Sequence, residues 1–166
     1  MPALYYLSVT LHLLAAFFWL GGMLFLAAVG APVLRQVEPA ALRQRLFHQL
    51  GLRLRTPGWI AITTLLITGV VNLHYRGWLR WDGLLGEAAF WATPLGQALA
   101  VKLMTVTVMI ATSAWHDFVL GPRAGLAEPG SAEALALRRK TALLGRVSAI
   151  VGLVLIVAAV RLARGG

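Results

Sequence analysis

The sequence predicts an all-α integral membrane protein, a four-transmembrane-helix bundle with an amphipathic segment between helices 1 and 2. Three observations carry that prediction. Apolar runs at about 4–29, 57–76, 95–120 and 143–162 each approach the roughly 20 residues that a bilayer-spanning helix needs. The composition is 59% hydrophobic and 13% charged, against about 45–50% apolar and about a quarter charged in soluble domains. The basic residues fall in the short segments between the apolar runs, where they govern orientation of insertion. The net charge of +9 is therefore read as topology rather than as a nucleic-acid footprint. We expect residues 1–166 to form one such domain.

Each element has its own signals. The first run has no basic stretch before it and is too long for a signal sequence, so it reads as a retained helix. Gly30 and Pro32 are expected to end it. Between the first two runs, Arg35, Arg43, Arg45, Arg53 and Arg55 surround Leu42, Leu46, Phe47, Leu50 and Leu54, a pattern that suits a helix lying on the membrane surface. Thr56-Pro57 then opens the second helix, with proline in its first turn. The segment 77–94 carries Trp78, Trp81 and Trp91 with Asp82 and Glu87, and the tryptophans read as an interfacial belt. Pro122 to Leu137 reads as a solvent-facing loop, in part helical from Ser131, leading into Arg138, Arg139 and Lys140. Lys and Arg are concentrated at the first and third connections, which predicts the cytoplasmic (inner) membrane with both termini outside the cytoplasm. No internal repeat is evident, although helices one and three both carry a histidine.

Cysteine is absent, which excludes disulfides, thiolate ligation and iron–sulfur clusters. Metal ligands must come from histidine, methionine, carboxylate or backbone oxygen. His12 sits inside the first apolar run, where a titratable group is a functional-site candidate. Trp19 and Met23 share its helix face, and Gly21 and Gly22 let a neighbouring helix approach. On the third helix Lys102, Thr105, Met109, Thr112 and His116 form a polar stripe expected to face inward. The second helix offers Thr64, Thr68 and Asn72 at steps of four, with His74 on the opposite side. Ser148 and Gly152 on the fourth read as packing. Depth along the helices puts His12, His74 and Lys102 in the same outer half and His116 in the inner half. Met23 and Met109 suit Cu(I) chemically, but methionine in an apolar helix more often fills core space, and that is the expectation for both. His48, in the arginine-rich segment, reads as solvated, and Asp117 could orient His116 only if their side chains converge.

His12-(x6)-Trp19-x-Gly21-Gly22 resembles the first-helix signature of the copper-resistance D (CopD-like) membrane domain. Arg43-x-Arg45-Leu46-Phe47, Arg53-x-Arg55-Thr56-Pro57, Thr68-Gly69, Lys102-Leu103 and Trp115-His116-Asp117 are similar to the same superfamily. The resemblance covers nearly the whole chain and implies copper uptake or resistance, with copper as the metal. The wider group is similar to the HemJ-type haem b membrane proteins, a relation that maps the motif histidine to His12 and the Lys…His pattern to Lys102 and His116.

Two functions therefore stand as expectations. In the first, intramembrane histidines handle copper: His12 and His74, with Met23, take it from the outer side, delivered by a soluble copper-carrying protein. In the second, haem b is bound by histidines of the bundle, the outer pair His12 and His74 with Lys102 suiting its propionates and His116 with His48 serving a second haem, and the protein is an oxidoreductase or electron carrier. A third reading is a scaffold whose polar groups only hold the bundle together. The lipid bilayer is the one certain surrounding, nucleic acid is not a partner, and the small-residue faces allow a homodimer.

Overall fold

The computed structural model of the chain describes residues 3–79 and 84–165. Arg80, Trp81 and Asp82 lie outside the described residues. The elements are α1 (Ala3–Arg35), α2 (Ala40–Tyr75), a short α3 (Ala88–Ala92), α4 (Pro94–Leu126) and α5 (Ala132–Ala163). All but α3 are long and apolar enough to cross a membrane, so the chain is an all-α, multi-pass membrane protein. Among the described residues there is no strand.

The helices run further than expected. α1 does not stop at Gly30 and Pro32 but reaches Arg35 through a π-helical turn at Leu26–Gly30, where the Ala31 N–H reaches back to Leu26 O. Proline explains the turn. Pro32 has no N–H to donate and its ring crowds the carbonyl four residues back, so the helix widens by one residue rather than ending. Pro122 does the same in α4, where His116–Leu120 is a π turn and Gly121 N–H bonds His116 O. The expected loop at 122–137 is thus helical to Leu126 and again from Ala132, with Ser131 Oγ accepting from Ala134 N–H at 3.1 Å as an N-cap.

The arginine-rich segment is another correction. It is not a separate surface helix but the first half of α2, 36 residues long with Pro57 inside it rather than in a first turn. At 1.5 Å per residue α2 extends about 54 Å, well beyond a hydrocarbon core of about 30 Å. Its basic half therefore emerges from the bilayer, as does the first part of α5 with Arg138, Arg139 and Lys140.

The structure contains an internal repeat, which corrects the expectation of none. The two π turns begin at Leu26 and His116, 90 positions apart, and the same offset relates Pro32 to Pro122 and Glu38-Pro39 to Glu128-Pro129. Residues 11–20 and 101–110 carry an identical pattern of burial, and the buried pairs Ile62/Gly152 and Thr68/Ala158 keep that offset. α1 packs on α2 as α4 packs on α5. Each repeat is a helical hairpin, and both hairpins run in the same sense along the chain, the arrangement of parallel membrane repeats.

The hairpins meet in a central cluster of Ala15, Trp19, Ala61, Ile62 and Met109, with Met23, Trp59 and Leu20 against it. Both methionines on the candidate stripes therefore fill core space, and in lipid this close packing does much of the work of association. Trp78 is buried against Phe90, and Trp91 is half-buried with its indole N–H on Leu85 O at 3.2 Å. These two tryptophans pack α3 onto the bundle instead of forming a lipid-facing belt.

Candidate functional site

The polar groups gather at two levels. Nearer the chain termini, His12 projects from α1 against α2, where its Nδ1 lies 2.7 Å from Thr68 Oγ1. Ser8, one turn earlier on α1, donates to Asn72 Oδ1 at 2.9 Å and lies 3.4 Å from Thr68 O. Thr64, Thr68 and Asn72 recur every four residues, so one face of α2 serves both α1 side chains. Gly69 lies opposite the ring: a Cβ there would make ordinary contact with His12 Cε1 at 3.8 Å.

The Thr68 hydroxyl is placed to set the imidazole tautomer. With its single proton on Thr64 O, 2.6 Å away, the oxygen accepts from His12 and Nδ1 carries the ring proton. In the neutral ring Nε2 then holds the lone pair. Anchoring one ring nitrogen so that the other is presented to a metal is a recurring arrangement in metalloproteins. Lys102, half-buried on α4, lies within electrostatic reach of His12, and Arg76 within reach of Lys102. By the repeat, Lys102 is the positional equivalent of His12.

The other expected ligands do not join this group. His74 is exposed with its ring against Tyr75, and it lies six residues beyond Thr68, about 9 Å along α2. Met23 is eleven residues from His12, about 16 Å along α1, and packs in the central core. His12, His74 and Met23 therefore do not form one metal site in this chain. Among the described residues no three His, Cys, Asp or Glu side chains converge on one point.

The second level lies towards the basic end, around the π turn of α4. Asp117 Oδ2 accepts from Trp59 Nε1 at 3.0 Å and Oδ1 lies 2.9 Å from His116 Nδ1. Adjacent side chains that diverge on a regular helix are thus brought onto one carboxylate within the widened turn. Arg55 Nη2 donates to Asp117 O. That carbonyl would otherwise face Pro122, which has no N–H, so the arginine supplies the donor that the proline removed. Arg55 also lies over the Phe118 ring, 5.1 Å from its centroid, and Phe118 packs beside Trp59 at 5.5 Å. The sequence reading singled out His116 and Asp117 but missed Trp59 and Arg55. The signal was present in Pro122, which leaves the Asp117 carbonyl without a backbone donor.

The remaining stripe residues behave as packing. Thr105 and Met109 are buried, and Thr112 lies 3.5 Å from Ser148 Oγ on α5. His48 stays exposed with its ring close over Gly125, while Gln44 Nε2 donates to Ala124 O and Ala127 O at 3.1 and 2.7 Å. Both tie the end of α4 to α2.

Fold and site together define a multi-pass α-helical membrane protein of two hairpin repeats, with one histidine presented at the repeat boundary. The chain is 30% identical over 116 residues to an uncharacterized protein of Aquifex aeolicus (strain VF5), covering 69% of this chain and 68% of that one. It belongs to the same family as that protein. A 64-residue stretch is 44% identical to UDP-glycosyltransferase 79B11 of Arabidopsis thaliana, covering 39% of this chain and 14% of the plant protein's length. No family model and no solved structure matches the chain.

Proposed function

We propose that the protein binds one metal centre through His12 Nε2 at the end of the bundle nearer the termini, and that this centre is haem b serving electron transfer or oxidation. The observation that carries the reading is the Thr68–His12 hydrogen bond, which occupies Nδ1 and leaves Nε2 as the ring nitrogen available to a metal within a membrane helix. The residues fit such a group on a second count. Lys102 and Arg76 suit the anionic propionates of haem, whereas their positive charge opposes a bare cation bound beside His12. When bound, the iron would supply one-electron chemistry. The chain's own part is to hold the imidazole in one tautomer through Thr68, to keep Ser8 and Asn72 paired with each other, and to set positive charge alongside.

Copper handling, implied by the CopD-like resemblance, would use the same nitrogen. It would need its other ligands from a carrier protein or a second copy, because His74 and Met23 stand too far away. The Lys and Arg distribution supports placement in the cytoplasmic membrane with both termini outside.

The test is an absorption spectrum of dithionite-reduced, detergent-purified protein from haem-sufficient cells, with metal analysis of the same sample. We expect a Soret band that His12→Ala abolishes and Thr68→Val weakens, with both variants still folded by circular dichroism. Stoichiometric copper without a Soret band moves the assignment to copper. Neither metal in the folded wild type overturns both readings.

A further inference from the structure

At the basic end, Arg35 from the last turn of α1 and Arg138 and Arg139 from α5 line one open pocket of about 260 Å³, walled by Leu135 and Ala142. Leu135, Arg138, Arg139 and Ala142 follow steps of three and four residues, so they share one face of α5. Three guanidinium groups around one pocket repel each other. Among the described residues no carboxylate pairs with any of them, and Glu38, the acidic side chain nearest Arg35 in sequence, is paired with Arg43 at 2.8 Å. An anion with several oxygens relieves that repulsion, and planar guanidinium groups match phosphate oxygens in pairs.

The surroundings identify what carries the phosphate. Val33 and Leu143, on the hydrocarbon side of the arginines, are 57% and 60% exposed, which serves no purpose for a free ion. Arg138 and Arg139 precede Leu143, where the apolar run of α5 begins, by four or five residues, or about 6–8 Å. The headgroup layer outside the hydrocarbon core is about 5–8 Å deep on each side. Charge, exposed apolar surface and depth agree. We propose that this pocket binds the phosphate of one anionic phospholipid per chain, with the acyl chains running along the exposed leucines of α5. The site stands apart from His12 and joins α1 of the first repeat to α5 of the second.

The experiment is lipid binding to the detergent-purified full chain by native mass spectrometry, with phosphatidylglycerol, phosphatidylcholine and inorganic phosphate as probes. The triple variant Arg35→Gln/Arg138→Gln/Arg139→Gln is compared with a control of equal charge, Arg45→Gln/Arg53→Gln/Arg123→Gln. Arg138→Gln alone serves if the triple variant does not fold. We expect the wild type to retain one phosphatidylglycerol, the pocket variant to bind it at least about tenfold more weakly, and the control to change by less than about twofold. Equal loss in the control would overturn the proposal, because it would reduce the binding to diffuse charge. Equal retention of phosphatidylcholine, or displacement of the lipid by inorganic phosphate at similar concentration, would overturn it too.

Discussion

Position for position, the first repeat carries His12 where the second carries Lys102, and an apolar turn at Leu26–Gly30 where the second carries His116 and Asp117. Tyr6, 61% exposed, corresponds to the buried Gly96. Between these positions, over 11–20 and 101–110, the pattern of burial is nonetheless identical. The contrast separates two requirements. Which positions face inward is set by hairpin packing and by a proline-induced π turn, and both halves share it. What fills those positions is free to diverge, and each polar cluster combines side chains of both halves. His12 and Thr68 face Lys102 across the repeat boundary, and Arg55 and Trp59 reach over to Asp117. A change at a shared packing position should therefore cost stability, and a change at a divergent position should depend on which half carries it.

The largest effect is expected at Gly96. A Cβ there would overlap Phe90 O and lie 2.8 Å from Phe90 C and 2.9 Å from Trp91 Cα, all backbone atoms of α3 that cannot turn aside. Gly96→Ala should cost about 3 kcal/mol or more in thermal unfolding of the detergent-solubilised protein. Tyr6→Ala, at the equivalent position where no such helix lies across, should stay within about 0.5 kcal/mol. Similar losses in both would mean that α3 is not what distinguishes the two halves.

A middle-sized effect is expected at the second π turn. Asp117→Leu strands the Trp59 indole N–H and should cost about 1–3 kcal/mol, whereas Ala27→Leu, exposed at the matching position of the first turn, should be close to neutral. In a Trp59→Phe background the Asp117→Leu cost should shrink by about 1 kcal/mol, the size of one removed hydrogen bond. An unchanged cost in that background breaks the assignment of Asp117 as the anchor of α2 on α4.

The architecture was legible from apolar length alone, because four runs of about 20 residues admit few alternatives in a bilayer. The inward polar stripe of α4 and the packing role of Ser148 and Gly152 were legible from periodicity. The repeat was not. Helix packing preserves where residues are buried and not which residues they are, so Trp19 against Met109 and Ile62 against Gly152 leave little identity to find. Proline misled for a related reason: Pro32 and Pro122 look like helix ends, and only the neighbouring helix, through groups such as Arg55, decides whether the chain continues past them. His12 was legible as a buried titratable group, and Thr68 as part of a stripe on α2. Their pairing, and the exclusion of His74 and Met23, depended on the register between α1 and α2, which no single-helix pattern contains.

That register gives the smallest and finest test, in two glycines facing α1. At Gly69 a Cβ would make ordinary contact with His12 Cε1 at 3.8 Å, and the second repeat already holds Ala159 at the matching position. Gly69→Ala should therefore stabilise by about 0.4–1 kcal/mol through the lost freedom of the unfolded chain, with the His12 environment unchanged. At Gly152 a Cβ would meet Leu20 Cδ1 at 2.7 Å, where the first repeat instead fills the matching position with Ile62. The obstructing atom is the end of a flexible side chain, so Leu20 can turn at a cost that offsets the same backbone gain. Gly152→Ala should come out between neutral and a loss of about 1 kcal/mol. Opposite signs for the two substitutions would show that the small residue on α5 is there for close helix approach; equal stabilisation would show that α1 and α5 are not close-packed at Leu20, and that the repeats are held together mainly by the polar clusters at either end.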